Sequence, residues 1–400
     1  MARHLTLVPA PVTGAGVLPT VWPAVRACLS GDAPLAVLPA GPVPAVATAQ
    51  AVLRAAEPLE DGADLVVLTS GSTGGGRGVL LSAAALRASA TATLDRLGGP
   101  GSWLLTLPTS AIAGLQVLVR SALADRVPAV LQHPAEQLGA ALARMPDGDR
   151  RYTALVPTQL RRYLDTDPES LARFDAVLVG GAATDPGLLA RARAAGVQVR
   201  TTYGMSETAG GCVYDGQPLD GVRVRVDDRG VQLAGPTLAL GYRLDPAATA
   251  AAFRDGWFHT RDAGSLDDAG LLTVHGRLDD VVISGGVNVA PQAVEAVLRE
   301  HPQVADAVVT GRPDPEWGQR VVAGIVPAGP DAPTLEQLRD WVAGRLGPAA
   351  APRDVVLLAA VPVLHTGKPD RRSVARLIVP ESQSAGDLHA GTPSTPERER

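Results

Sequence analysis

Short apolar runs recur along the first half of the chain: LVVLT at 65–69, WLLTL at 103–107, AVLVGG at 176–181 and VQVRTTYG at 197–204. They alternate with stretches rich in Ala, Leu and Arg, such as residues 82–97 and 186–195, that read as helices. Strands buried between helices give this alternation, so the pattern predicts an α/β domain. Beyond residue 220 the texture changes. VRVRVDDRGVQLAG and GSLDDAGLLTVHGRLDD read as hairpins turning on Asp and Gly, which adds a β-rich subdomain to the same large N-terminal unit, placed at 1–276.

A smaller C-terminal α+β pattern is expected over 277–379. It comprises a helix at 290–300, strands near 304–310 and 320–327, a helix at 334–346 and a strand around 354–358. Residues 380–400 are rich in Pro, Ser and charge and are expected to be disordered.

With 400 residues, 46% hydrophobic and 19% charged, the chain has ample material for a buried core. Its net charge of −5 supplies no basic footprint, which argues against a nucleic-acid partner. Cys28 and Cys212 are too few and too far apart for a disulfide framework or a zinc site, as suits a reducing cytosol. The start, MARHLTLVPAPV, lacks the features of a signal peptide. Residues 33–53 carry no charge, but Pro34, Pro39, Gly41, Pro42 and Pro44 break any spanning helix. A soluble cytoplasmic protein with no membrane insertion is expected. His259, His275, His301 and His365 show no metal-ligand spacing, and Asp267 with Asp268 reads as a hairpin turn.

The first candidate for chemistry is TSGSTGGGRGV, residues 69–79, directly after an apolar strand. Gly71, Gly74, Gly75, Gly76 and Gly78 let the backbone approach a ligand closely, while the hydroxyls of Ser70, Ser72 and Thr73 and the loop N–H groups can cradle phosphate oxygens. Arg77 and Gly78 replace the lysine and hydroxyl of a Walker A loop, so a P-loop NTPase is not the reading. The second is TTYGMSETAGG, residues 201–211. Thr208 stands where a serine-hydrolase elbow needs glycine. Ser206 and Glu207 instead offer a hydroxyl beside a carboxylate, suited to a phosphate oxygen and Mg²⁺. Gly180 and Gly181 end a strand, where α/β sheets bind ligands. The third is a single residue: of the 36 basic positions only Lys368, in LHTGKPDRR, is lysine. An ammonium on a slender stem reaches places that a planar guanidinium does not.

Taken in order from about residue 60 to 375, these stretches resemble the adenylate-forming superfamily of acyl-CoA ligases. The resemblance implies that Thr69, Ser70, Gly71, Ser72, Thr73, Gly74 and Arg77 bind the ATP phosphates, and that Ser206 and Glu207 serve catalysis, with Glu207 on Mg²⁺. It further implies adenine and ribose contacts from Gly180, Gly181, Ala182, Tyr203, Gly204, Asp262 and Arg277, and a hinge at Asp279 for a small mobile C-terminal domain. Ser284, Gly285 and Gly286 would border the CoA arm, and Lys368 would be the catalytic lysine. Ser110, Ala111 and Gly114 would line the acyl pocket. Gly76 and Arg77 stand where the superfamily usually has proline and lysine.

IAGLQVLVRSAL, ALVPTQLRRYL and GGCVYDGQPLDGVRV resemble the actinobacterial o-succinylbenzoate:CoA ligases of menaquinone synthesis. Where these usually carry histidine before I-A-G, this chain has Ser110 and Ala111. The resemblance implies an acid joined first to AMP and then to CoA, with ATP, Mg²⁺ and CoA as cofactor and co-substrates, a small carboxylic acid as partner, and a homodimer as one possible assembly. Another aryl or fatty acid, a carrier-protein acceptor, and a catalytically dead nucleotide-binding homologue stay open as alternatives.

Overall fold

The computed structural model describes residues 3–69, 76–133, 136–362 and 370–377. The chain divides into two compact units between Asp279 and Asp280.

The larger unit is built on two main sheets. In the first, Thr6–Pro9, Leu35–Leu38 and Leu65–Thr69 run parallel, and Arg77–Leu81 and then Gly241–Tyr242 add antiparallel. In the second, five strands run parallel in the order Val199–Met205, Ala176–Val179, Arg151–Leu155, Ser102–Leu105, Ala129–Val130. Gly210–Tyr214 joins its edge antiparallel, followed by Gln217–Pro218. Ala176–Val179 and Ser102–Leu105 are buried along their whole length, as expected of strands with both faces covered. The helices Ala83–Arg96, Ile112–Leu123 and Val21–Ser30 bury Leu86, Leu115, Leu118 and Val25 in the same core as Trp103 and Tyr152.

From Ser102–Leu105 the chain goes to a neighbour on one side, Ala129–Val130, and then to Arg151–Leu155 on the other. This is a topological switch point, and the crevice beyond the carboxyl ends of such strands is where open α/β sheets take ligands. The β-rich part is a four-stranded sheet of Arg223–Asp227, Gly230–Ala234, Trp257–His259 and Phe253–Arg254, with the hairpin Asp262–Leu266 and Leu272–Arg277. Asp267 makes the turn of that hairpin, accepting from the N–H groups of Ala269 and Leu271.

The smaller unit has its own core of Val294, Leu298, Val309, Val321, Ile325, Leu338 and Val342. Helices Pro291–Arg299 and Leu335–Leu346 accompany the long hairpin Val304–Asp314 and Gly318–Pro327, with Asp354–Leu357 added parallel. Its second hairpin, Val282–Ser284 and Val287–Val289, turns on Gly285 and Gly286 at φ +58° and +79°. A two-residue turn with both φ positive matches the strand twist and demands glycine. Among the described residues no helix is long and apolar enough to cross a membrane.

Candidate active site

The strand Val199–Met205 organises the large unit's polar groups. Its fourth and fifth residues from the start set two contacts. Thr202 lies so close to Gly180 that a Cβ there would come 2.2 Å from Thr202 Oγ1. The Tyr203 hydroxyl donates to Asp262 Oδ2 at 2.6 Å. Gly204 then passes Gly210, where a Cβ would meet the Gly210 carbonyl oxygen at 2.2 Å. Gly181, at φ +82°, and Ala182 complete the exit of the neighbouring strand.

Ser206–Thr208 forms a single 3₁₀ turn after that strand. Ser206 is buried and Glu207 half-buried. The Thr208 hydroxyl accepts from the Met205 N–H at 3.0 Å and donates to the Gly210 carbonyl at 2.8 Å, so this buried threonine closes the turn rather than a glycine. Ala209 follows at φ +51°, and its carbonyl is held by Gln116 Nε2 at 2.7 Å and Ser89 Oγ at 3.0 Å. Two buried donors on one carbonyl fix a strained residue in place. Gln116 lies on the helix Ile112–Leu123, whose N-cap is Ala111 and whose start follows Ser110. Gly114 is required by packing, since a Cβ would come 2.2 Å from the Pro108 carbonyl oxygen. Ile112 lies beside Gly210. The fold thus brings the Ser110–Gly114 segment up to the Ser206–Gly210 turn.

On the first sheet, Thr69 and Arg77 face each other across the antiparallel pair, so they are the two fixed ends of the glycine-rich segment. Ser70, Gly71, Ser72, Thr73 and Gly74 lie outside the described residues, as do Lys368, His365 and the 380–400 tail. Tyr242, opposite Val79 on the adjacent strand, was not singled out from sequence. Its hydroxyl donates to Glu207 Oε1 at 3.0 Å, and the Arg77 guanidinium lies over its ring at 5.2 Å from the centroid.

Asp262 is buried and also faces Arg277 Nη1 at 3.7 Å. Arg277 makes a two-pronged contact with Asp279, Nε and Nη2 each at 2.8 Å. Burial alone would raise the Asp279 carboxyl, but this guanidinium outweighs it and holds the group below its ordinary value. Burial first, and then the Asp262 and Glu207 charges, push the Tyr203 and Tyr242 hydroxyls well up, so both remain proton donors at neutral pH.

In the smaller unit, Ser284 is buried with no hydrogen-bond partner for its Oγ among the described residues. Gly285 donates its N–H to the Trp317 carbonyl at 2.9 Å, and a Cβ on it would meet the Trp317 ring at 2.8 Å. Gly286 faces open space.

A half-buried carboxylate next to a hydroxyl offers hard oxygen donors of the kind Mg²⁺ prefers when phosphate oxygens complete its shell. A glycine-framed strand exit beside a tyrosine and an aspartate suits a nucleoside.

Residues 24–240 match the AMP-binding enzyme family, and residues 293–368 match the AMP-binding enzyme C-terminal domain. The chain is 50% identical over 341 residues to a protein of Mycobacterium tuberculosis named "Probable 2-succinylbenzoate–CoA ligase", covering 82% of this chain and 88% of that one. It is 31% identical to the 2-succinylbenzoate–CoA ligase of Bacillus cereus, over 78% of this chain and 70% of the other. The fold matches that of o-succinylbenzoate CoA synthetase from Bacillus subtilis in complex with its acyl-adenylate intermediate, with TM-score 0.76 at 24% identity, over 93% of this chain and 88% of the other. By its two matched domains and these relatives, the chain belongs to the AMP-binding enzyme family.

Proposed function

We propose that this protein is an AMP-forming acid:CoA ligase that converts o-succinylbenzoate to its CoA thioester. The observation that carries the reading is the 50% identity, over 82% of the chain, to the mycobacterial protein of that name. In the first half-reaction a carboxylate oxygen of the acid attacks the α-phosphorus of ATP, the bond to the β-phosphate breaks, and pyrophosphate leaves. In the second, the thiolate of CoA attacks the acyl carbon and AMP departs with the bonding pair. No protein nucleophile is needed.

The residues divide this work by their chemistry. Thr69, Arg77 and the hydroxyls between them are assigned to the phosphates, and Ser206 to an α-phosphate oxygen. Glu207 is assigned to Mg²⁺, which when bound neutralises phosphate charge. Gly180, Gly181, Ala182, Tyr203 and Gly204 frame the adenosine, and Asp262 with Arg277 take the ribose hydroxyls. Lys368 carries charge to the acid and the α-phosphate during adenylation. Rotation about Asp279 then withdraws Lys368 and brings Ser284, Gly285 and Gly286 to the acyl adenylate. Ser110, Ala111 and Gly114 border the acid. The setting is the cytoplasm. Cys28 and Cys212 are free and buried, and burial pushes both thiols up to about 12, leaving them inert.

The test is a substrate panel. Purified protein with ATP, Mg²⁺ and CoA is expected to form the o-succinylbenzoate thioester in preference to those of benzoate, salicylate and medium-chain fatty acids, and Ala111→His is expected to raise that rate. Better turnover of a fatty or hydroxybenzoic acid would overturn the acid while leaving the reaction type.

A further inference from the structure

Tyr242 stands between the two ends of the polar cluster in the large unit. Its hydroxyl donates to Glu207 Oε1 at 3.0 Å, and its ring carries the Arg77 guanidinium at 5.2 Å. Tyr242 is 7% exposed, and its ring rests edge-on against Phe253 at 5.9 Å.

Its backbone is fixed from three directions. The Tyr242 N–H donates to Thr249 Oγ1 at 2.9 Å. Strand pairing sets it opposite Val79, two residues from Arg77. The next residue, Arg243, is buried and makes five hydrogen bonds, to the carbonyls of Leu53, Arg54, Glu57 and Pro58 and to Glu60. The Arg243 N–H also donates to the Gly78 carbonyl at 2.8 Å. A side chain anchored this firmly loses little freedom when it orients a neighbour, which is the requirement for a preorganised support.

We infer that Tyr242 is a positioning residue for adenylation, holding the Glu207 carboxylate in its metal-binding orientation while its ring seats Arg77 toward the phosphates. The inference rests on the proposed acid:CoA ligase reading. It also gives the arginine at 77 a physical reason: a planar guanidinium stacks on an aromatic face, as an ammonium does less well.

The experiment compares wild type with Tyr242→Phe, which keeps the ring and removes the hydroxyl, and Tyr242→Leu, which removes both. Fold is monitored by near-ultraviolet circular dichroism. Mn²⁺ binding is followed by electron paramagnetic resonance with α,β-methylene-ATP, a readout independent of turnover. Losing a hydrogen bond to a charged group weakens an interaction by roughly tenfold or more. Tyr242→Phe is therefore expected to weaken Mn²⁺ binding by roughly that factor and to raise the Mg²⁺ needed for pyrophosphate exchange, with the KM for the acid unchanged. Tyr242→Leu is expected to raise the KM for ATP as well. Excess Mg²⁺ is expected to restore exchange in Tyr242→Phe.

Wild-type Mn²⁺ affinity in a folded Tyr242→Phe protein would overturn the inference, as would absence of nucleotide-dependent Mn²⁺ binding in wild type. If wild type binds Mn²⁺ and nucleotide, and Tyr242→Phe weakens that binding, but no acid supports exchange, the positioning role stands and the ligase reading fails.

Discussion

The Tyr203 hydroxyl donates to Asp262 at 2.6 Å, joining the parallel sheet to the first strand of the Asp262–Arg277 hairpin across 59 residues of sequence. Asp262 in turn faces Arg277 at 3.7 Å, and Arg277 grips Asp279. One buried carboxylate thus ties the strand Val199–Met205, through Arg277, to Asp279 at the division between the two units.

If Asp262 takes the ribose hydroxyls, Asp262→Ala should weaken ATP binding by about 1.5–3 kcal/mol, the usual worth of hydrogen bonds to a charged group. Calorimetric titration with a non-hydrolysable ATP analogue measures this directly. A dissociation constant within twofold of wild type would move the ribose elsewhere.

Gly180→Ala would force a methyl to within 2.2 Å of Thr202 Oγ1 and 2.8 Å of its carbonyl oxygen. The strand exit must shift, so a loss of about 1–3 kcal/mol in stability is expected, with a raised KM for ATP. Adding Thr202→Ala removes the nearer clash but not the carbonyl, so denaturant melts should show partial recovery. Full wild-type stability in the single variant would mean that the glycine is not required there.

The Arg243 anchor should be a major source of stability. Its side chain is fully buried against Glu60, at 2.7 Å. Arg243→Met would take the guanidinium donors from four backbone carbonyls and from one oxygen of the Glu60 carboxylate, and a loss of about 3–5 kcal/mol is expected from equilibrium unfolding. Burial tends to raise the Glu60 carboxyl, but the Leu244 N–H and Arg243 together hold it below its ordinary 4.5. A depressed folded value means that the contribution is present above the unfolded value and is lost as the pH falls through the folded one. Glu60→Gln should therefore flatten the acid limb of the stability profile below about pH 4.5 and leave its alkaline side unchanged. An unchanged acid limb would show that the pair is not coupled to folding.

Lys368 is tested by bulk as well as by charge. Lys368→Ala should slow pyrophosphate exchange by roughly a hundred- to a thousandfold, about 3–4 kcal/mol, yet still convert supplied acyl adenylate and CoA to thioester. Lys368→Arg keeps the charge with the wrong shape, and exchange near the wild-type rate would show that no ammonium is required. Three residues on, Arg371 donates to the Val309 carbonyl at 3.0 Å and pairs with buried Glu295, which also accepts from the Val309 N–H at 2.8 Å.

Much of the local structure was written in the chain itself. LVVLT is the strand Leu65–Thr69, residues 82–97 contain the helix Ala83–Arg96, and Asp267 makes the turn of a hairpin. These follow from side-chain size and backbone freedom, which act over a few residues and so are visible in a few letters. The strand expected near 304–310 instead runs Val304–Asp314, because its partner Gly318–Pro327 continues the ladder past Thr310 and carries Pro313 with it. Pairing decided that boundary.

The supports of the site were decided by the tertiary structure alone. Gln116 reaches Ala209 across 93 residues, Tyr242 reaches Glu207 across 35, and Arg243 reaches Leu53 across 190. A buried glutamine, a tyrosine in a two-residue strand and one arginine among many carry no local pattern, since what selects them is a carbonyl or carboxylate that only the folded chain brings within 3 Å. The glycine and hydroxyl runs assigned to the ligand are recognisable from residue types that lie close together in sequence. The side chains that hold those runs still are chosen by packing and by the cost of leaving a buried polar group unpaired, and both exist only after the sheets have formed.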